Sequence, residues 1–123
     1  MQRRLFLPLL VLLTASLTLP ATAQINPFRG SRGTPLNSDD LNALFHATTR
    51  LLDRPQLSVG ITEQWTNPAS GVSGTVTAGD AVERRGLSCR LATYVLTGPA
   101  AERPRNGTLT WCKTQDGWKT APG

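Results

Sequence analysis

Two cysteines and one histidine carry the most distinctive chemistry in this 123-residue chain. Cys89 and Cys112 could form a disulfide, hold a metal ion or act as a redox pair. Zinc normally takes four ligands, and the single histidine cannot complete such a set. A redox pair is usually spaced Cys-x-x-Cys, which this pair is not. The two residues therefore predict a structural disulfide, with no metal ion and no cofactor.

Acid–base chemistry would need a histidine or carboxylate in a special environment. His46 falls about 140° from the apolar stripe of the helix predicted around it, so we expect a solvated side chain. Asp39 and Asp40 are neighbours, and adjacent helix residues do not face each other. Asp80 and Glu83 belong to a predicted polar loop. No phosphate-binding loop, nucleophile elbow or His-Glu-x-x-His motif occurs, so we predict no catalytic residue and a protein that is not an enzyme.

The N-terminus has the order of a secretory signal peptide. Arg3 and Arg4 precede an apolar run over residues 5–19, and Ala21-Thr22-Ala23 supplies a small-residue cleavage site. We expect a signal peptide over residues 1–23 and a mature chain that begins at Gln24. The alternative is an uncleaved anchor, and the general and twin-arginine export routes both stay open. Since no cysteine directly follows the site, the expected product is periplasmic or secreted, with or without association with the cell surface, and not a lipoprotein.

Charge limits the classes of partner. The full chain carries +5, but the signal holds two of the 13 basic residues and none of the 8 acidic ones, which leaves +3. Arg84-Arg85 and Arg103-x-Arg105 are isolated pairs and not a dense basic stripe. Export and this small excess together argue against nucleic acid as a partner. Export also favours the disulfide, because disulfides persist in oxidising compartments.

The mature chain reads as a lead, one helix and several strands. Residues 24–37 hold two glycines and two prolines, which predicts a flexible lead. Ser38 is expected to cap a helix that presents an apolar stripe and stops at Pro55. Short strands separated by turns follow. They are predicted at 58–66, 71–78, 87–96, 107–113 and 118–120, with turns at Asn67-Pro68, Gly79-Asp80, Gly98-Pro99 and Asp116-Gly117.

The disulfide also predicts a strand register. If Cys89 faces Cys112 in an antiparallel pair, three further pairs follow: Arg90 with Trp111, Ala92 with Leu109, and Tyr94 with Gly107. These residues then share one face of the sheet. Arg90, Tyr94 and Trp111 could form an exposed binding patch, whereas the favoured interpretation is a core wall with Arg90 folded over it.

Several short motifs resemble the surface-antigen domain of the rickettsial seventeen-kilodalton antigen and related proteobacterial envelope proteins. The resemblance covers roughly residues 38–120. Its parts are the Asp39-Asp40 helix start, Trp65-Thr66-Asn67-Pro68, Ser70-Gly71, Gly74-Thr75-Val76, Cys89-Arg90, Cys112 and Asp116-Gly117-Trp118. It implies a small β-rich envelope domain of unassigned activity. Many relatives carry a lipid-modified cysteine and a glycine-rich segment, and this chain has neither.

Together these features predict an α+β fold in which one N-terminal amphipathic helix packs on an antiparallel sheet of four or five strands, with one disulfide. Residues 38–123 form the expected domain. The expected function is binding to an unknown envelope component or protein partner, without catalysis and without an integral membrane segment after cleavage. The alternative is a periplasmic inhibitor or accessory subunit of an enzyme that uses the loop 97–106.

Overall fold

The computed structural model describes residues 25–28, 33, 35–99 and 103–121. The predicted signal peptide and its cleavage site at Ala23 lie outside these residues. One helix packs on a five-stranded antiparallel sheet, which confirms the predicted α+β fold. The elements are α1 (Ser38–Leu52), β1 (Thr62–Asn67), β2 (Val72–Arg84), β3 (Leu87–Thr97), β4 (Arg105–Thr114) and β5 (Gly117–Thr120).

The start of α1 lies one residue earlier than predicted. Asn37, not Ser38, is the N-cap, and its side chain accepts a hydrogen bond from the backbone N–H of Asp40 at 2.8 Å. The Asp40 carboxylate accepts in return from the Asn37 N–H at 3.0 Å. This reciprocal capping box satisfies two amide donors that the first turn would otherwise leave free.

The buried face of α1 has the expected helical spacing. Leu44, Ala47 and Leu51 are fully buried, and Thr48 completes the stripe with 1% exposure. At the helix C-terminus, Arg54 forms an ion pair with Glu63 of β1. The helix therefore lies across the sheet with one apolar stripe inward.

The sheet runs in sequence order from β1 to β5, so every connection is a hairpin. β2 is longer than predicted. The expected turn at Gly79-Asp80 is wrong, because the strand continues through it with a register shift between Ala78 and Ala81. Such a bulge inserts residues without ending the pairing, and it increases the local twist. The first strand is shorter than predicted, since it begins at Thr62 and not at residue 58.

The true turn between β2 and β3 is Arg85-Gly86. Arg84 pairs with Leu87, which leaves a two-residue loop in which Arg85 has φ 50° and Gly86 has φ 77°. Positive φ at both positions is the type I′ geometry that suits the twist of a hairpin. The last hairpin closes with Thr114 opposite Gly117.

Phe28 departs from the expectation of a flexible lead. Its ring is 3% exposed and meets Tyr94 edge-to-face at a centroid distance of 6.5 Å. Beside it, the Pro27 carbonyl lies so close to Gly107 that a Cβ at position 107 would approach it to 2.5 Å. Burial of a phenylalanine stabilises by about 2 kcal/mol, which favours docking over a free tether. These residues of the lead therefore close the core over the β3–β4 hairpin.

The face of the sheet opposite α1 is rich in hydroxyl groups. The register aligns four threonines in one row across four strands: Thr62, Thr77, Thr93 and Thr108. The Thr62 and Thr77 hydroxyls are 2.7 Å apart. Threonine combines a high strand propensity with a polar tip, which suits a face open to water. Among the described helices, none is long and apolar enough to span a membrane.

Candidate functional site

The Cys89–Cys112 disulfide is present, as predicted. The two Cα atoms are 3.9 Å apart, and the residues face each other in the β3–β4 ladder. All three further pairs that this register predicts are also found: Arg90 with Trp111, Ala92 with Leu109, and Tyr94 with Gly107. The bridge joins the two strands on the face away from α1, since side chains alternate along a strand and Tyr94 points towards the helix.

The prediction of an exposed patch formed by Arg90, Tyr94 and Trp111 is wrong, because two of the three side chains lie in the core. Tyr94 is fully buried and Trp111 is 9% exposed. Arg90 is half-buried and donates to the carbonyl oxygens of Gly79 at 3.0 Å and Leu57 at 3.4 Å. A small sheet with one helix needs its large aromatic side chains inside, so the core wall is the outcome.

Tyr94 is the centre of a buried chain of hydrogen bonds. Thr48 Oγ1 donates to the Leu44 carbonyl at 2.9 Å, so its single proton is committed there. The Tyr94 hydroxyl, 2.8 Å from Thr48 Oγ1, must then donate to it, while it accepts from Trp111 Nε1 at 2.9 Å. Burial raises the pKa of Tyr94 to about 12, against the opposing effect of these hydrogen bonds. A phenol so placed is a structural link and a poor proton donor at neutral pH.

Asp40 is the one described carboxylate in the core, with 1% exposure. Its Oδ1 accepts from Asn67 Nδ2 at 2.7 Å and from Ser70 Oγ at 2.6 Å, in addition to the capping bond from Asn37. Burial alone would raise its pKa, but these donors outweigh burial and hold the pKa of Asp40 below the usual value. A carboxylate this well solvated by the protein is a weak base. Its role is to join the start of α1 to the β1–β2 turn.

His46 is exposed, as its helical position predicted. It borders a shallow depression of about 160 Å³ together with Asn42, Phe45 and Thr49. The described residues that line this depression include no acidic side chain. Across the described ranges there is also no group of three or more histidine, cysteine or acidic side chains that could hold a metal ion.

A second depression lies on the face of the sheet away from α1. It measures about 420 Å³, and its lining includes Trp65 and Gly74. Its polar lining consists of side-chain hydroxyl and amide groups from Gln64, Thr66, Ser73, Thr75 and Thr97. None of the described residues that line it is charged. Residues 100–102 of the loop 97–106, which the predicted inhibitor role would use, lie outside the described residues.

The most distinctive surface is a groove of about 470 Å³ beside the disulfide, which we call the basic groove. Arg84, Arg85 and Lys119 supply three cations to its lining. The same lining includes the apolar residues Leu87 and Ala121, the Cys112 half of the disulfide, and two threonines. No carboxylate is among the described residues that line it. The described residues form two ion pairs, and both involve Glu63. None of the three cations of the groove therefore forms an ion pair with another described residue.

Four strands, β2 to β5, contribute residues to the basic groove. Val82, Cys89, Cys112 and Lys119 form one row across β2 to β5, which places the lysine directly opposite the disulfide. The disulfide thus ties together the two central strands of the row. Arg84 and Leu87 follow as the last pair of the β2–β3 hairpin. A covalently tied framework holds its side chains in place before a ligand arrives, which reduces the ordering cost of binding.

Arg85 has a backbone conformation that residues other than glycine rarely adopt. Its φ of 50° makes it the one described residue other than glycine with positive φ. Type I′ turns favour asparagine or glycine there, and a residue with a Cβ costs about 1 kcal/mol. Strain of this kind tends to collect at functional positions. Sequence reasoning noted Arg84-Arg85 as a charge pair but missed the groove, because Lys119 joins it from a distant strand.

No protein-family model, no curated protein and no solved structure matches this chain.

Proposed function

We propose that this chain is an exported, disulfide-stabilised domain of the bacterial cell envelope that acts by binding and not by catalysis. The observation that carries the proposal is the basic groove, where three cations without an ion-pair partner among the described residues lie with apolar side chains on a disulfide-tied framework. Anionic groups are abundant among envelope components, and such a groove complements them in charge. The signal-like N-terminus and the disulfide support export, because disulfides form outside the reducing cytosol.

The buried titratable side chains support a non-catalytic role. Asp40 accepts hydrogen bonds from its own fold at both carboxylate oxygens. Tyr94 is held between Thr48 and Trp111. A general base needs a pKa near the working pH and access to a substrate proton. Neither group meets both conditions, so the free surface groups of the groove are the better candidates for function.

Export and envelope binding can be tested with the full chain. The precursor is expressed in a Gram-negative host, and cells are separated into cytoplasm, periplasm, membranes and medium. We expect a periplasmic or secreted protein that starts at Gln24, contains no free thiol and is retained by at least one purified envelope fraction. A cytoplasmic protein at precursor mass, or a processed protein retained by no envelope fraction, would contradict the proposal.

A further inference from the structure

We propose that the basic groove and the hairpin tip beside it bind the phosphate headgroup of an anionic lipid at a membrane surface. This inference rests on the proposed function, because it names the ligand class of the same site. The hairpin tip is the segment Arg84–Leu87.

The hairpin tip lies at the end of the sheet, where β2 and β3 stay paired beyond the β3–β4 ladder. β2 and β3 remain paired through Arg84 and Leu87, whereas the pairing of β3 with β4 begins at Cys89. Leu87 is 38% exposed, which makes it one of the few large apolar side chains left in water among the described residues. An apolar side chain flanked by arginines matches the boundary between headgroups and acyl chains, where the leucine is buried and the cations stay in the headgroup layer.

The charges of the groove favour phosphate over a neutral headgroup. Arginine donates two parallel hydrogen bonds to a phosphate, and lysine adds a point charge. Arg84 and Arg85 supply the planar guanidinium donors, and Lys119 lies across the groove from them. A volume of about 470 Å³ lies within the range of small-ligand sites and suits one headgroup.

The strained turn gives an independent reason to place recognition at the tip. Arg85 holds a left-handed backbone conformation that asparagine or glycine would adopt more easily. The strain is explained if the Arg85 side chain contacts the phosphate headgroup from this position. The guanidinium then occupies the outermost point of the hairpin, next to the exposed Leu87.

The test is sedimentation of the purified protein with lipid vesicles at low and physiological ionic strength. One set contains equal parts of phosphatidylglycerol and phosphatidylcholine, and the other contains phosphatidylcholine alone. We expect binding at least about tenfold tighter to the anionic vesicles, weakened by salt because exposed charges are screened. Equal binding to both sets, or binding to neither, would overturn the proposal.

Two double variants with the same loss of charge locate the site. Arg84→Gln with Arg85→Gln should weaken binding about tenfold or more, since each cation near an anionic surface strengthens binding about fivefold. Arg50→Gln with Arg103→Gln removes two exposed arginines outside the groove. This double variant should change the affinity for anionic vesicles by less than about twofold. Arg103 precedes β4, at the far end of the β3–β4 hairpin from the disulfide. An equal effect of the two double variants would mean non-specific attraction and would contradict the proposal.

Two further measurements test the role of the apolar side chain at the tip and distinguish lipid phosphate from free phosphate. Leu87→Ser should weaken binding to anionic vesicles while leaving the melting temperature unchanged, because the side chain is already partly in water. Inorganic phosphate is titrated into the protein and followed by amide chemical shifts of the hairpin tip. Saturation of the tip by free phosphate at concentrations that also displace the vesicles would assign the groove to a soluble phosphate compound and overturn the lipid assignment.

The outcome also separates this inference from the proposed function. If the protein is exported and retained by an envelope fraction, but that retention survives Arg84→Gln with Arg85→Gln, the groove is not the site of binding. The proposed function then stands and the lipid inference fails. If the precursor stays in the cytoplasm, the proposed function fails whatever the vesicles show.

Discussion

Ionisation of Tyr94 should destabilise the fold at alkaline pH by a predictable amount. The hydroxyl is fully buried, and burial raises the pKa of Tyr94 from 10.0 to about 12. In the unfolded chain the phenol loses its proton at about pH 10. The contribution of the Tyr94 hydroxyl to the unfolding free energy is therefore fully present below pH 10. It is lost as the pH rises towards 12, because the unfolded state releases its proton first. Two pKa units correspond to about 3 kcal/mol of unfolding free energy.

The chain is favourable for this measurement because Tyr94 is its one tyrosine. Phenolate absorbance near 295 nm therefore reports this residue alone. We expect the absorbance of the folded protein to stay low past pH 10 and to rise only near pH 12 or together with loss of the far-ultraviolet circular dichroism. In concentrated urea the same signal should rise at about pH 10, which gives the reference for the unfolded state.

Tyr94→Phe is the matched control, since it removes the titrating hydroxyl and keeps the ring. The variant leaves Trp111 Nε1 without its acceptor and should lose about 1–3 kcal/mol at pH 7, the cost of an unsatisfied buried donor. Urea unfolding of both proteins between pH 8 and 11.5 should show this difference constant below pH 9 and shrinking above pH 10. A phenolate signal at pH 10 in folded protein, or parallel stability curves up to pH 11.5, would refute the reasoning.

Three further substitutions test other parts of the structure. Replacing both Cys89 and Cys112 by serine should lower the unfolding free energy by about 2–4 kcal/mol, since the bridge closes a loop between residues 23 positions apart; equal urea midpoints for parent and variant would contradict a stabilising bridge. Asp40→Ala should cost about 3 kcal/mol, because it strips acceptors from three donors and removes the capping box. Because the pKa of Asp40 is lowered in the folded protein, the charged carboxylate stabilises the fold above the ordinary carboxyl pKa, and this stabilisation is lost as the pH falls. The difference in unfolding free energy between parent and Asp40→Ala should therefore become smaller in acid. A difference independent of pH would argue against a charged Asp40. His46→Ala should change stability by no more than about 0.5 kcal/mol in urea unfolding, because the side chain is exposed, and loss of folding would disprove the surface assignment.

Features that depend on local pattern could be predicted from the sequence. The helix follows from its apolar spacing and its terminators, and its start is displaced by one residue because Asn37 competes with Ser38 as a cap. The β3–β4 register follows from the cysteine pair, since a disulfide between neighbouring strands determines the pairing of every residue around it. The turn after β2 was misplaced at Gly79-Asp80, because glycine and aspartate favour turns and bulges alike.

The candidate site depends mainly on contacts between distant segments. Alternation along β3 and β4 correctly placed Arg90, Tyr94 and Trp111 on one face, but it could not say whether the helix covers that face. The structure places Tyr94 under α1 through Thr48, 46 positions earlier in the chain. Burial of Phe28 has the same origin, because a glycine- and proline-rich lead carries no periodic signal of docking.

The amino-acid sequence by itself determined the helix, the predominance of antiparallel strands and the disulfide with its register, because each depends on side-chain spacing within one segment or one hairpin. Only the tertiary structure decided which side chains are buried and which remain free. Asp40 is enclosed because Asn67 and Ser70 of a distant turn reach it. Arg84, Arg85 and Lys119 meet in one groove because the sheet order places β2 and β5 on either side of the two strands that the disulfide joins. Contacts of this kind depend on the packing of whole elements, and no local period of the sequence encodes them.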